Sequence, residues 1–217
     1  MSDNATRRRM MVDNQIRPSD VTKFPIIQAF LSLKREYFVP TENRDTAYVG
    51  EHIQIANDRV ILDPRTLAKM LEAVDVTDSE LVLDVGAGYG YSSAIIAYLA
   101  EAVVALESDD KPASEMQNAL IEHGIDNVIV EQGPLLDGAA SHAPYDVIFV
   151  QGGVEFIPEK LILQLKEGGR MVALFMEGAL GSVKIGYKVK GGVNWRFAFN
   201  AGAPVLSDFE KEPTFTL

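Results

Sequence analysis

Three glycines and two acids form the clearest chemical pattern in this sequence. Gly86, Gly88 and Gly90 follow a short apolar run that contains Asp84, and Glu107 ends the next apolar run. Glycine lets the main chain turn sharply and leaves room for a ligand against the backbone. An acid at the end of the second strand is where the ribose of a nucleotide places its hydroxyls. The pattern therefore predicts a site for a nucleoside-containing cofactor.

The spacing of these residues separates two classes of cofactor. Dinucleotide-binding folds use G-x-G-x-x-G and place a pyrophosphate at the N-terminus of the following helix. This chain has G-x-G-x-G, with Asp84 two positions ahead of the first glycine. A carboxylate there suits the positively charged amino acid part of S-adenosylmethionine and would repel a pyrophosphate. We therefore expect S-adenosylmethionine. The alternatives are a nicotinamide-dependent oxidoreductase, which dinucleotide binding would reveal, and a plain strand-to-helix turn.

Composition and charge narrow the range of functions further. The 217 residues are 47% apolar, which is typical of one soluble domain with a complete core. A net charge of −11 argues against a nucleic-acid partner. The chain has no cysteine, and His52, His123 and His142 do not stand at metal-ligand spacings. We expect a cytoplasmic protein without a metal or a membrane span, whose oligomeric state stays open.

Alternating strand and helix patterns position the glycines and Glu107. They predict an α/β fold with a mostly parallel sheet and helices on both faces. The tail instead predicts an antiparallel hairpin, which is typical of the class I methyltransferase (Rossmann-like) architecture and which a plain dinucleotide fold does not need. The predicted strands are 81–85, 102–107, 127–131, 147–150 and 171–176, the helices 91–100, 111–123 and 158–166, and the hairpin strands 183–190 and 195–200.

The first third of the chain is predicted to be helical with one long loop. A helical apolar stripe covers 20–38, and a second helix begins at Asp63, a good N-cap, with Pro64 at its first position. Residues 44–62 between them predict a mostly irregular segment, of a length that is usually functional or disordered. The basic run 7–9 predicts a solvated, disordered tail rather than a binding arm.

Several motifs, in a fixed order over almost the whole chain, match the signature of one known family. They are MVDNQIRP (11–18), REYFVP (35–40) followed by AY (47–48), APYD (143–146), and IP followed by QLKEGGR (157–170). Each alone has a structural explanation such as a turn or a helix cap. In this order they resemble the protein-L-isoaspartate O-methyltransferase family. The resemblance implies carboxyl O-methylation of isoaspartyl residues in damaged proteins, a protein-repair activity, with S-adenosylmethionine as methyl donor and a protein or peptide carboxylate as acceptor.

The resemblance also implies roles for individual residues. The segment from Asp84 to Gly90 would contact the methionine part of the cofactor, and Glu107 would accept hydrogen bonds from the ribose hydroxyls. The family's later D-G pair, on the adenine side, is replaced here, and Asp137 could substitute only if its loop is rearranged. The implied cofactor-binding residues are Asp84, Gly86, Ala87, Gly88, Tyr89, Gly90, Glu107, Ser108, Gly133, Pro134 and Leu135.

The acceptor segment is where the resemblance fails. The family pattern I-G-x-G-Q-T-I-S-x-P aligns with 55–64, which puts Val60 at the Thr position and Leu62 at the Ser position. Gly50 stands where the family has an Asp that follows A-Y-x. The catalytic residues are therefore unknown, and the acceptor is uncertain. Leu62 also fits a purely structural role, because it precedes the N-cap of the second helix in a hydrophobic-staple arrangement.

Two functions from different classes follow from this departure. The first is an active S-adenosylmethionine-dependent methyltransferase of the isoaspartyl type with an uncertain acceptor. Arg59 and Thr66, polar residues nearby, are candidates to take over acceptor binding. The second is a catalytically silent relative that binds the cofactor and acts through a protein partner. In either case we expect one domain over 1–217, made of a helical extension with the acceptor loop (1–79), a cofactor-binding core (80–176), and a C-terminal hairpin and tail (177–217).

Overall fold

A seven-stranded sheet forms the centre of the protein. The computed structural model describes residues 3–56 and 58–211. A separate short hairpin precedes the sheet and consists of β1 (Ile53–Gln54) and β2 (Val60–Ile61). The strands of the sheet are β3 (Leu81–Val85), β4 (Ala102–Glu107), β5 (Val128–Gln132), β6 (Tyr145–Val154), β7 (Leu165–Glu177), β8 (Leu180–Val189) and β9 (Gly192–Asn200).

The strand order confirms the predicted fold class. The order of the strands in the sheet is β5-β4-β3-β6-β7-β8-β9. The first five strands in this order are parallel to one another. β8 pairs antiparallel with β7, and β9 pairs antiparallel with β8. The chain order reverses between β3 and β6, and in open α/β sheets ligands bind outside the carboxyl ends of the strands at such a reversal. The glycine loop after β3 and Glu107 at the end of β4 both lie at this edge.

Helices cover both faces of the sheet. Successive residues of β3, Val82 and Leu83, belong to two different hydrophobic clusters, because side chains alternate across a strand. One cluster joins β3 and β4 to the N-terminal helices, and the other joins them to the last helix. The described helices are α1 (Asn4–Met11), α2 (Phe24–Ser32), α3 (Pro64–Val74), α4 (Tyr91–Ala97), α5 (Asp110–Glu122) and α6 (Glu159–Gln164).

The N-terminal basic run is helical, so the prediction of a disordered tail is wrong. Asp3 caps α1 by accepting a hydrogen bond from the Thr6 N–H at 2.7 Å. The Arg8 guanidinium donates to the Leu31 carbonyl at 2.7 Å and so ties α1 to the end of α2. The prediction considered only the basic residues of the run. It did not include the N-cap at Asp3 or the long-range bond from Arg8, which together stabilise the helix.

The helix predicted over 20–38 is also wrong in extent. Leu33 is extended (φ −82°, ψ 133°), which ends α2 at Ser32, and a 3-10 turn follows at Arg35–Tyr37. Phe30 and Phe38 still reach one partner, since their rings lie 6.1 and 6.3 Å from that of Tyr91. The apolar residues of 20–38 are therefore spaced for burial in one core, although they do not lie on one continuous helix.

Other predicted boundaries differ by a few residues. The strands predicted at 147–150 and 171–176 extend to the full β6 and β7, and α6 is shorter than 158–166. The irregular segment 44–62 holds the hairpin β1–β2, and the end of a 3-10 helix at Thr41–Thr46. The start of α3 is confirmed, with the Asp63 carboxylate accepting from the Thr66 N–H at 2.9 Å.

Candidate functional site

The glycine loop makes a tight connection from β3 to α4. Gly86, Gly88 and Gly90 have φ of 76°, 58° and 86°, a region that L side chains rarely adopt. A Cβ at Gly90 would lie 2.6 Å from Cγ of Met116, so α5 leaves no room for one. The Gly86 N–H donates to the Leu106 carbonyl at 2.9 Å. The loop is thus held against β4, and its backbone borders the end of that strand.

Glu107 is fully buried at the carboxyl end of β4. Its carboxylate accepts hydrogen bonds from the N–H groups of Gly88 at 2.6 Å, Ser108 at 2.8 Å and Asp109 at 3.1 Å. Backbone donors of this kind fix a charged acceptor without using a side chain. Glu107 therefore joins the glycine loop to β4, at the place where the sequence predicted a ribose-binding acid.

Arg59 forms a bidentate ion pair with Glu107. Its Nη1 donates to Oε1 at 2.9 Å and its Nη2 to Oε2 at 2.5 Å, while Nη1 also reaches Ser108 Oγ at 3.2 Å. The side chain is buried, and its Nε has no hydrogen-bond partner among the residues that the structure describes. A Cβ at Gly86 would lie 3.7 Å from Nη2, so the guanidinium lies over the glycine loop. The sequence suggested Arg59 as an acceptor-binding residue, and the structure instead pairs it with Glu107.

The hairpin β1–β2 covers the glycine loop. Ile55 Cδ1 lies 3.1 Å from the position of a Cβ at Gly88, and the Asp58 carboxylate accepts from the Ser207 N–H at 2.9 Å. Beside the Arg59–Glu107 pair a cavity of about 230 Å³ is left. It is lined by Asp58, Arg59, Ser108, Asp109, Leu135, Leu206, Ser207 and Asp208. This volume is below the roughly 300–1,000 Å³ of small-molecule sites.

Asp84 lies beneath the loop and is fully buried. Its carboxylate accepts from the hydroxyls of Ser92 and Ser93, both at 2.6 Å, and from the Gln151 side-chain amide at 2.8 Å. Burial raises the pKa of Asp84 above its ordinary value, although these three hydrogen bonds act in the opposite direction. The three donors were missed at the sequence level. Ser92 and Ser93 in the first turn of the predicted helix, one turn after the loop, were the available signal.

The other predicted cofactor-binding residues lie around the same edge of the sheet. Ala87 and Tyr89 are buried in the glycine loop, and the Gly133 N–H donates to the Glu107 carbonyl at 3.0 Å. Leu135, after Pro134, lines the small cavity. Asp137, the suggested substitute, is bonded to Lys160 at 2.5 Å at the surface and does not line that cavity.

The acceptor segment has buried apolar side chains at the two positions where the family pattern has Thr and Ser. Val60 and Leu62 are 4% and 2% exposed, so neither offers a hydroxyl or an open contact. Leu62 and Leu67 belong to one hydrophobic cluster, as a staple requires. The buried Arg35 donates to the Leu62 carbonyl at 2.9 Å, and this guanidinium lies 4.4 Å from the ring centre of Tyr91. Arg35 therefore connects the acceptor segment to the start of α4.

Comparisons with known proteins identify the family. The model of the protein-L-isoaspartate(D-aspartate) O-methyltransferase family matches residues 6–183, which is most of the chain. The chain belongs to this family. It is 37% identical over 176 residues to protein-L-isoaspartate O-methyltransferase 1 of Rhodopseudomonas palustris (strain HaA2), a match that covers 79% of this chain and 72% of the relative.

Solved structures with the same fold include two that bear the name protein-L-isoaspartate O-methyltransferase. One, named protein-L-isoaspartate O-methyltransferase, superposes with a TM-score of 0.80 at 24% identity and covers 92% of this chain and 66% of that chain. The other, from Plasmodium falciparum in complex with S-adenosyl-L-homocysteine, has a TM-score of 0.78 at 16% identity and covers 95% of this chain and 99% of that chain. At these identities the likeness concerns the fold.

A membrane-spanning helix or a group of metal ligands would indicate another class of function. Over 3–56 and 58–211, no helix has both the length and the apolar character that crossing a membrane requires. In the same ranges, no three His, Asp or Glu side chains are grouped so that they could hold a metal ion.

Proposed function

We propose that this chain is an S-adenosylmethionine-dependent methyltransferase that acts on isoaspartyl carboxylates of damaged proteins, as a cytoplasmic repair enzyme. The observation that carries the proposal is the position of Glu107. This carboxylate lies beside the glycine loop, where the strand order of the sheet reverses, in a chain that belongs to the isoaspartate O-methyltransferase family. The names of the relatives and the bound S-adenosyl-L-homocysteine of the Plasmodium falciparum structure support the same activity.

The residues at this edge fit such a cofactor chemically. Glu107 can accept from two neighbouring ribose hydroxyls with its two oxygens, and the glycines leave main-chain atoms open to a ligand. The hairpin β1–β2 and Arg59 occupy the space above them, so this fit requires the hairpin to move. The residues from Asp84 to Gly90, Glu107, Ser108 and 133–135 are our proposed cofactor-binding set.

The bound cofactor would supply an electrophilic methyl group attached to sulfur. A carboxylate acceptor needs no general base, because a group with a pKa of about 4 is already ionised at neutral pH. The task of the protein is then to hold the acceptor in line, roughly 3 Å from the methyl group, and to exclude water. Buried Val60 and Leu62 exclude water but donate no hydrogen bond that would orient the acceptor. Each missing bond to a charged group costs on the order of tenfold to a hundredfold in rate.

The test is methyl transfer from labelled S-adenosylmethionine to an isoaspartyl peptide, with the same peptide containing ordinary aspartate as control. We expect slow but selective labelling of the isoaspartyl peptide. Binding of S-adenosylhomocysteine is measured in parallel by isothermal titration, with NAD as control. Failure to bind S-adenosylhomocysteine, both in the wild type and after removal of the Arg59 side chain, would overturn the proposed function. Binding without transfer to either peptide would overturn the isoaspartyl acceptor alone. Cell fractionation tests the cytoplasmic location.

A further inference from the structure

Arg59 occupies the hydrogen-bonding positions that the proposed cofactor needs on Glu107. Each guanidinium Nη donates to one carboxylate oxygen, and each oxygen also accepts from a backbone N–H, of Gly88 or Ser108. Two vicinal ribose hydroxyls would have to bind these same two oxygens. The carboxylate cannot serve both sets of donors with good geometry, because its in-plane acceptor directions are already used.

We propose that Arg59 is an internal competitor of the cofactor for Glu107 and thereby sets cofactor affinity. The proposal rests on the proposed function, and it assigns Arg59 a role at the cofactor and not at the acceptor. Cofactor binding requires Arg59 to leave Glu107, and the hairpin β1–β2 carries Arg59 away from the glycine loop when it opens. The conformation described here is then the closed state of the site.

The hairpin is built so that it can open without disrupting the sheet. It consists of two residue pairs, Ile53 with Ile61 and Gln54 with Val60, and it belongs to a sheet of its own. A two-stranded hairpin is only marginally stable by itself. It is held at its tip by the Arg59–Glu107 pair and by the bond from the Ser207 N–H to the Asp58 carboxylate. Ile53, Val60 and Ile61 are buried at its base. We therefore expect the loss of the two tip contacts to release the tip with Arg59, while these side chains and the seven strands stay packed.

The Nε of Arg59 has no hydrogen-bond partner within 3–56 and 58–211, and this also favours a contact that is made and broken. A buried guanidinium with one unsatisfied donor carries a desolvation cost that an exposed one does not. Moving into solvent satisfies that donor and offsets part of the lost ion pair. If only a fraction of molecules has the site open, the apparent dissociation constant is raised by the inverse of that fraction.

The decisive experiment compares S-adenosylhomocysteine binding by isothermal titration to the wild type and to Arg59→Ala. We expect the substitution to tighten binding at least about tenfold, which corresponds to about 1.4 kcal/mol. Arg59→Lys retains the charge but cannot make a bidentate pair, so we expect an affinity between the two. Asp58→Ala removes the hydrogen bond between the Asp58 carboxylate and the Ser207 N–H. It should also tighten S-adenosylhomocysteine binding, to a smaller extent.

Arg170→Ala is the matched control. Arg170 forms a bidentate pair with Glu80, at 2.6 and 2.9 Å, at the opposite edge of the sheet. Its loss destabilises the protein without releasing the hairpin, so we expect an unchanged affinity. A tightening in this variant as well would mean that loosening of the fold in general, and not Arg59, improves binding.

Hydrogen exchange without ligand supplies a readout that is independent of binding. The Ile55 N–H donates to the Arg59 carbonyl at 2.9 Å, and the Arg59 N–H to the Ala56 carbonyl at 3.3 Å. We expect both amides to exchange faster in Arg59→Ala and at the wild-type rate in Arg170→Ala. Unchanged exchange at these amides in Arg59→Ala would overturn the closed state.

The outcomes separate this inference from the proposed function. If the wild type and Arg59→Ala bind with equal affinity, or the variant binds more weakly, the proposed function stands and the competition is overturned. If S-adenosylhomocysteine binds to neither the wild type nor Arg59→Ala, the proposed function fails and the competition for a cofactor fails with it. The exchange rates then still decide whether Arg59 holds the hairpin closed.

Discussion

Two bidentate arginine–glutamate pairs lie at opposite ends of the parallel strands and differ in how many of their donors are bonded. We call the side where the parallel strands begin the amino edge and the side where they end the carboxyl edge. At the amino edge Arg170 uses its whole guanidinium, since Nη1 and Nη2 bind Glu80 while Nε and Nη2 bind the carbonyls of Val74 and Asp75. At the carboxyl edge Arg59 binds Glu107, and its Nε has no partner in the described part of the chain. A fully bonded pair joins α3 to β3, whereas the incompletely bonded one holds a hairpin tip.

Similar ion pairs can serve either the stability of a fold or access to a site. Arg170 connects α3 to a strand in the interior of the sheet, because Val74 ends α3 and Glu80 precedes β3. Arg59 connects a two-stranded hairpin to a carboxylate that already has three backbone donors. The first pair should therefore govern unfolding and the second should govern binding.

The largest expected effect is on stability at the amino edge. Arg170→Ala removes several charge-assisted hydrogen bonds at once and should lower the free energy of unfolding by about 3 kcal/mol. Arg59→Ala should cost only about 1 kcal/mol, because Glu107 keeps its backbone donors and the opened hairpin admits water. Urea unfolding followed by circular dichroism measures both values. Equal losses in the two variants would mean that both pairs contribute to stability in the same way.

The next effect is on cofactor binding at the carboxyl edge. Glu107→Gln leaves one neutral acceptor oxygen for two hydroxyls, and we expect this loss to outweigh the release of Arg59. S-adenosylhomocysteine should then bind about a hundredfold more weakly, roughly 2.7 kcal/mol. Glu80→Gln, the matching change at the amino edge, should leave affinity unchanged. Isothermal titration at a temperature where both variants are folded measures the two dissociation constants. A comparable weakening in Glu80→Gln would show that affinity follows overall stability.

Which of these features could be predicted from the sequence depends on how local they are. The strand–helix alternation, the glycine loop and Glu107 were predictable, because each is a pattern within a few residues that the parallel sheet brings to one edge. The Arg59–Glu107 pair joins residues 48 positions apart, and nothing in the acceptor segment indicates which carboxylate Arg59 will meet. The same holds for Gln151 and Asp84, which neighbouring strands bring together across 67 positions.

A third prediction concerns the hairpin that covers the carboxyl edge. The double substitution Val60→Thr and Leu62→Ser restores the hydroxyls of the family pattern and should raise methyl transfer to isoaspartyl peptide by about tenfold. Both positions are buried, so this variant should also lose stability, which its urea midpoint reports. Val60→Ala with Leu62→Ala is the control, because it opens similar space without adding a donor. Equal gains in the two variants would assign the effect to space and not to hydrogen bonding.

The smallest expected effect is the pH dependence of stability, which should have opposite signs at the two edges. Burial alone would raise the pKa of Glu80, but hydrogen bonds from Arg170 and from the Thr77 N–H outweigh it and hold that pKa below its ordinary value of 4.5. The folded protein therefore binds fewer protons at Glu80 than the unfolded chain in the window below pH 4.5. The stability that this carboxylate contributes is full above that window and is lost as the pH falls through the lowered pKa.

At the carboxyl edge the sign is reversed, because burial raises the pKa of Asp84 above its ordinary value of 3.8. Here the folded state binds more protons, so the contribution of Asp84 to stability falls as the pH rises from 3.8 through the raised pKa. Urea midpoints of the wild type, Glu80→Gln and Asp84→Asn over this pH range measure both trends. The advantage of the wild type over Glu80→Gln should grow with pH, and its advantage over Asp84→Asn should shrink. Parallel trends would mean that the carboxyl edge is built for stability in the same way as the amino edge.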